Sequence, residues 1–248
     1  MASLHYFITG ASSGIGEALA SKLAMAGHTV SASARRVERL EALADKVPNI
    51  TAFECDVCSS AKVTSAVKAA IKASGPIDVA ILNAGYYAPQ DARDMQIASY
   101  QKHMDVNYLG VVRCIETLLP DMLARGQGHL ALMASVAGYR GLPRAAAYSP
   151  TKAAVISLAE SMYFDLQESG VKLQVISPGF VKTEATEIND FDMPDLVTAQ
   201  TAADEIIAGL AKNQFEIAFP RSFVRKMKLL RILPTKLYFS LMKRVISK

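Results

Sequence analysis

The sequence predicts an α/β fold: a doubly wound, seven-stranded parallel sheet with helices on both faces. Two observations carry this reading. Seven short β-rich runs recur along the chain, at Leu4–Thr9, Thr29–Ala34, Ile50–Glu54, Val79–Leu82, His129–Met133, Lys172–Ile176 and Glu216–Phe219, and segments of helical length and period fit between nearly all of them. The runs are apolar on both faces, as strands covered by two helical layers must be, and right-handed crossovers place helices on both sides of a parallel sheet. A chain of 248 residues with 51% hydrophobic residues can bury one such core. Residues 1–220 are therefore read as a single domain, and 221–248 as a basic amphipathic helical extension.

The first run opens into Thr9-Gly10-Ala11-Ser12-Ser13-Gly14-Ile15-Gly16, followed at once by the amphipathic segment Glu17–Met25. Strand, glycine turn and helix in that order suit a dinucleotide: glycine lets the backbone approach a pyrophosphate, and the helix N-terminus offers free N–H groups and a positive dipole end. A turn that needs glycine only for its shape has the same sequence. The second run ends in Ala34-Arg35-Arg36. Folds that prefer NAD place a carboxylate there for the ribose 2′-OH. A neutral Ala34 with Arg35, and secondarily Arg36, favours the 2′-phosphate of NADP(H), unless the arginines are only solvated helix-start residues. After the third run, Asp56 is either an acceptor for an adenine amino group or an N-cap.

Asn107 lies within the long helical region after the fourth run, and Ser135 just beyond the fifth, at the sheet end where ligands of open α/β folds collect. Each has a bland alternative, a helix kink for one and a strand cap for the other. Tyr148-Ser149-Pro150-Thr151-Lys152 opens a helix that tolerates Pro150 only in its first turn. Tyr148 and Lys152, four apart, share a face. A phenol of pKa ~10 is a poor base near neutrality, and an ammonium group beside it brings that pKa toward working pH.

Together these pieces resemble the short-chain dehydrogenase/reductase family, from Leu4 to about Pro220. Asn83-Ala84-Gly85 is similar to the family's sheet-stabilising and cofactor-lining motif, which more often begins with two asparagines but here with Leu82. Asn107, Ser135, Tyr148 and Lys152 match the family's catalytic tetrad. The resemblance implies a Rossmann-type fold and hydride transfer between nicotinamide and a carbonyl or secondary alcohol carbon, with no metal. Tyr148 would exchange the proton with the substrate oxygen, Ser135 would hydrogen-bond that oxygen, Lys152 would lower the tyrosine pKa and bind ribose, and Asn107 would hold a relay water. It also implies cofactor contacts at Gly10, Ser12, Ser13, Gly14, Ile15, Gly16, Asp56, Val57, Asn83, Ala84 and Gly85. Ile176, Ser177 and Pro178 begin the nicotinamide-side wall, and Pro178, Gly179, Val181 and Thr183 belong to the segment that closes on the nicotinamide amide and phosphates. A homodimer or homotetramer built on the helices around Asn107 and Tyr148 is implied as well.

Substrate choice is expected from 183–201, read as a surface loop with short helices, and from the segments after Gly85 and Gly138. Tyr86, Tyr87, Val136, Tyr139 and Leu142 suggest an apolar, medium-sized pocket for a lipophilic ketone or aldehyde. The rival reading is a dinucleotide-sensing or scaffold protein without turnover. Residues 221–248 hold nine Lys/Arg and no Asp/Glu, leaving 18 basic and 23 acidic residues elsewhere, a body charge of −5. The basic balance thus resides in the tail and speaks against a nucleic-acid-binding surface. In the tail, Phe223, Val224, Met227 and Leu230, then Leu237, Tyr238, Leu241, Met242, Val245 and Ile246, fall at helical spacing. Such helices suit a peripheral membrane contact, a lid or a subunit contact. No targeting or spanning segment is legible, which points to a cytoplasmic protein. The cysteines, Cys55, Cys58 and Cys114, read as small buried thiols.

Overall fold

The computed structural model describes residues 3–189 and 191–246. In chain order the first half runs β1 (His5–Thr9), α1 (Gly14–Met25), β2 (Thr29–Ala34), α2 (Val37–Ala44), β3 (Ile50–Glu54), α3 (Ser60–Ser74), β4 (Val79–Leu82), α4 (Ile97–Met104), a π-helical turn (Asp105–Leu109) and α5 (Gly110–Arg125). The second half runs β5 (Gly128–Met133), a 3-10 turn (Val136–Gly138), α6 (Ser149–Asp165), β6 (Val171–Pro178), β7 (Val181–Lys182), β8 (Val197–Thr198), α7 (Ala199–Leu210), β9 (Glu216–Phe219), α8 (Arg221–Ile232) and α9 (Thr235–Ile246). Seven strands form one parallel sheet in the order β3-β2-β1-β4-β5-β6-β9. Four of the seven expected runs coincide with their strands; β1 begins one residue later than expected, while β5 and β6 extend beyond their runs.

Alternation along each strand divides the core into two layers. Phe7, Ala80, Leu82, Leu130 and Leu132 belong to one cluster, with α3, α5 and α6 residues such as Val67, Leu118 and Val155. Ile8, Ala32, Ile81, Ala131 and Ile176 belong to the other, with Leu19, Leu23, Leu40 and Ile206 from α1, α2 and α7. Each fully buried Leu, Ile or Phe contributes roughly 1.5–3 kcal/mol relative to exposure. Phe223, Val224 and Met227 of α8 join the first cluster. Cys55 and Cys114 are buried thiols as expected, and Cys58 is half-buried.

The strand order reverses at β1 and β4: crossovers run outward to β3 on one side and to β9 on the other. Loops diverge at that point and leave a crevice beyond the strands' carboxyl ends. Into it project the turns after β1, β4, β5 and β6. The stretch 183–201 is less helical than expected. Its end contributes β8, which pairs with β7 in a separate two-stranded parallel sheet, and α7 begins at Ala199. Two-residue strands leave no readable periodicity. In the tail, Ser247, Lys248 and the side chains of Val245 and Ile246 lie outside what the structure describes. Among the described residues, no helix is long and apolar enough to cross a membrane.

Candidate active site

At the nucleotide end, Gly10 has φ of +68°, and a Cβ on it would lie 2.8 Å from Ala84 Cα. Only glycine accommodates both the left-handed backbone and the approach of the β4 turn. Asn83 ties the two turns together: its Nδ2 donates to Thr9 O at 3.0 Å and Gly10 O at 3.2 Å, while Ala84 N donates to Thr9 Oγ1 at 3.0 Å. The first N–H groups of α1, over Gly14, Ile15 and Gly16, have no carbonyl within the helix to bond and face the crevice mouth. This cradle fits a pyrophosphate.

Arg36, secondary to Arg35 in the sequence reading, is the arginine that reaches the glycine turn. Its Nη2 donates to Ser13 Oγ at 2.8 Å and its Nε to Ser12 Oγ at 3.3 Å. Arg35 is exposed, with no hydrogen bond or ion pair among the described residues. Asp56 is no N-cap: its carboxylate accepts from Cys58 N at 3.0 Å, closing a turn, and Ser59 caps α3. Val57 is buried against Gly110. Pro178 ends β6, Gly179 N donates to Phe219 O at 2.7 Å, and Val181 is buried. From there the chain folds back over the turn, so that a Cβ on Gly14 would meet Thr183 Cγ2 at 3.0 Å. Glu184 completes this strap by pairing with Arg36 and Arg39.

At the chemical end, α6 starts immediately after Tyr148 and carries Lys152 one turn on, 3% exposed, with Nζ donating to Met133 O at 2.9 Å. Its ammonium lies 5.6 Å from the Tyr148 ring centroid. Ser135 Oγ accepts from Ala137 N at 3.1 Å, capping the 3-10 turn that follows rather than the strand, and it donates to Pro178 O at 3.4 Å. Asn107 sits in the π-helical turn, fully buried. Its Oδ1 accepts from Tyr86 N at 2.7 Å, and its Nδ2 donates to Tyr86 O at 2.9 Å and Thr151 Oγ1 at 3.1 Å. The amide thereby fastens the chain after Gly85 to α6. Gly85 passes between the two groups, a Cβ on it lying 3.6 Å from Asn107 Oδ1 and 3.8 Å from Lys152 Nζ. All four tetrad positions thus converge beyond β4, β5 and β6.

A family model for short chain dehydrogenases matches residues 5–192, spanning this whole constellation. The chain belongs to the short-chain dehydrogenase family. An uncharacterised oxidoreductase of Myxococcus xanthus is 33% identical over 252 residues, covering 99% of this chain and 100% of its own. A short-chain dehydrogenase/reductase from Burkholderia phymatum, solved in complex with NAD, matches with a TM-score of 0.84 at 24% identity over 92% of each chain. An alcohol dehydrogenase from the archaeon Thermococcus sibiricus, complexed with 5-hydroxy-NADP, matches with a TM-score of 0.79 at 25% identity, covering 88% of this chain and 96% of that one. The protein is accordingly an oxidoreductase of a family whose members bind nicotinamide cofactors.

The electrostatics of this short-chain dehydrogenase differ from the expectation of a tyrosine held near working pH. Burial pushes the Tyr148 phenol up to about 12, although the neighbouring Ser135 hydroxyl pulls it down. Burial likewise lowers the Lys152 ammonium to about 8. Desolvation is the leading cause at both groups.

Sequence reasoning missed one residue near Tyr148, His103, and misplaced two others, Tyr139 and Val136. His103 is fully buried, one helical turn before Asn107; its Nε2 accepts from Ala88 N at 3.1 Å and its Nδ1 lies 2.7 Å from Ser99 O. Burial holds its pKa down, so a neutral ring with the proton on Nδ1 satisfies both partners. It stacks 4.7 Å from Tyr86 and stands 6.4 Å from Tyr148. The i, i+4 spacing of His103 and Asn107 was the available signal. Tyr139, expected to line the pocket, is buried in the core with its hydroxyl donating to Glu216, and Val136 is also a core residue. Tyr87 is the expected lining residue that does stand against Tyr148, edge-on at 5.0 Å, and its hydroxyl reaches Asn189 Oδ1 at 3.1 Å.

Proposed function

We propose that this short-chain dehydrogenase uses NADP(H) and works chiefly as a reductase of a lipophilic ketone or aldehyde. The observation that carries the reading is the convergence of Asn107, Ser135, Tyr148 and Lys152 at the crevice, with Lys152 Nζ 5.6 Å from the Tyr148 ring centroid; the Tyr148 phenol, raised by burial, is protonated at neutral pH and available as a donor. Carbonyl reduction needs a proton donor at the nascent alkoxide, whereas alcohol oxidation needs a base. Bound nicotinamide supplies the hydride from its C4. Tyr148 gives its proton to the substrate oxygen while Ser135, beside it, hydrogen-bonds the same oxygen. Lys152, bonded to Met133 O, favours the phenolate left behind and would hold the nicotinamide ribose. The lone pair of Asn107 Oδ1 not used by Tyr86 holds the water through which Tyr148 is reprotonated.

The cofactor choice rests on Arg36 and the Ser12 and Ser13 hydroxyls, a donor cluster beside a neutral Ala34 and suited to a 2′-phosphate. The lipophilic substrate class rests on the ring wall that Tyr87 sets edge-on against Tyr148. The protein is read as a cytoplasmic homodimer or homotetramer through the α4–α5 surface, where Met104 and Leu109 are exposed. The test is oxidation of NADPH, and separately of NADH, by the purified protein against ketones graded from short and polar to long-chain. Turnover with NADPH and lipophilic ketones is expected; preference for NADH, or for short polar carbonyls, would overturn the corresponding part.

A further inference from the structure

The two C-terminal helices are each fastened on one side and bare on the other. Phe223, Val224 and Met227 of α8 are buried, and from α9 Tyr238 is buried with its hydroxyl donating to Gly141 O. Arg140 locks the joint between the helices. Its Nη1 donates to Leu230 O at 2.9 Å, Arg231 O at 3.1 Å and Leu233 O at 2.7 Å, and its guanidinium lies 4.1 Å from the Tyr238 ring centroid. Two of the last carbonyls of α8, which a helix end leaves without partners, and that of the capping Leu233 are thus satisfied by one side chain. The inward side needs no further cover.

The outward side is different. Leu229 is 59% exposed, Ile232 75% and Phe239 56%. By helical geometry Leu229 and Ile232 lie opposite Phe223, Val224 and Met227. Cations interleave with them: Arg225 stands one turn before Leu229, and Lys236 and Lys243 stand three residues before and four after Phe239. No acidic residue occurs anywhere in 221–248.

We propose that the outward side of α8 and α9 docks the protein on anionic lipid bilayers. Apolar side chains enter the acyl boundary while the cations meet the headgroups, the two contributions an interfacial helix needs. A second copy of this chain is a poor occupant, because a two-fold contact would set this acid-free face against itself. Nucleic acid offers phosphate but no apolar phase for Ile232 and Phe239. The surface is rigidly tied to Arg140 and Gly141, in the segment between Ser135 and Tyr148, so a docked molecule holds its candidate substrate side near the membrane. Docking itself is independent of the catalytic reading and is measured without turnover.

The test is co-sedimentation of the full chain with phosphatidylcholine–phosphatidylglycerol vesicles and with pure phosphatidylcholine vesicles. Binding to the anionic vesicles is expected, about tenfold or more above the neutral ones, and released by raised salt as surface charge is screened. Ile232→Ser with Phe239→Ser should reduce it by a further order of magnitude while leaving the melting temperature and cofactor binding unchanged. Absence of vesicle binding, equal binding to both compositions, or an undiminished double variant would overturn the proposal. So would self-association, or association with an acidic protein, that the double variant abolishes while no vesicle is bound.

Discussion

The Glu184 carboxylate lies 2.9 Å from the Arg36 guanidinium and bonds Arg39 as well, so a residue of the strap after β7 is joined to the start of α2 across the mouth of the nucleotide crevice. The same arginine holds Ser12 and Ser13. On the proposed NADP(H) reading, a 2′-phosphate at this place would compete with Glu184 for Arg36. Glu184→Gln is therefore expected to tighten NADPH binding, by two- to fivefold, since exposed ion pairs contribute about 1 kcal/mol or less. Fluorescence titration with NADPH and NADH checks this; an equal gain for both would show that the 2′-phosphate is not involved.

The two arginines after Ala34 should separate in the same assay. Arg36→Ala removes the guanidinium that faces the turn and should weaken NADPH on the order of tenfold or more, with little effect on NADH. Arg35→Ala, at an exposed position, should do less. The reverse order would show that Arg35 swings in to take the phosphate.

For Tyr148 the sign follows from its raised pKa. Proton donation is available below about 12, so the chemical step of reduction should not decline through neutrality from loss of the Tyr148 proton. Oxidation of the product alcohol should rise with pH as phenolate forms. Tyr148→Phe should keep NADPH binding and lose turnover by a factor on the order of 100 to 10,000. Retained turnover would remove Tyr148 from the mechanism.

Lys152 is a buried ammonium lowered to about 8, so the folded state binds its proton less tightly than the unfolded chain does. The penalty is fully present below about 8 and disappears as pH rises toward the unfolded value of ~10.4. Lys152→Met should consequently abolish turnover while raising stability at neutral pH by on the order of 1–2 kcal/mol, part of the gain being offset by the lost bond to Met133 O. Denaturant melts at neutral and high pH test it; the variant's advantage should shrink at the higher value.

Arg140→Ala leaves three carbonyls at the end of α8 without their donor and removes the cation from the Tyr238 ring. Amide hydrogen exchange should quicken across 221–246 and not in the central strands, the local opening of that segment becoming easier by about 1–3 kcal/mol. Uniform loss of protection would instead make α8 an inseparable part of the core.

The sequence by itself determined the sheet, the glycine turn and the meeting of Asn107, Ser135, Tyr148 and Lys152 at one end of it. The sheet and the glycine turn depend on local signals, apolar runs bounded by turns and a strand–glycine–helix succession, whereas the meeting of the four residues followed from the resemblance to the family, with only Tyr148 and Lys152 linked locally by their i, i+4 spacing. Only the tertiary structure decided which arginine faces the glycine turn, that Tyr139 points to Glu216, that Glu184 closes over Arg36, and that Arg140 clamps the tail. Those contacts join residues from 23 to 148 positions apart. A side chain's direction and partner at such separations are set by how the layers pack. The same packing places Tyr148 and Lys152 where desolvation dominates their titration, which helical spacing alone could not reveal.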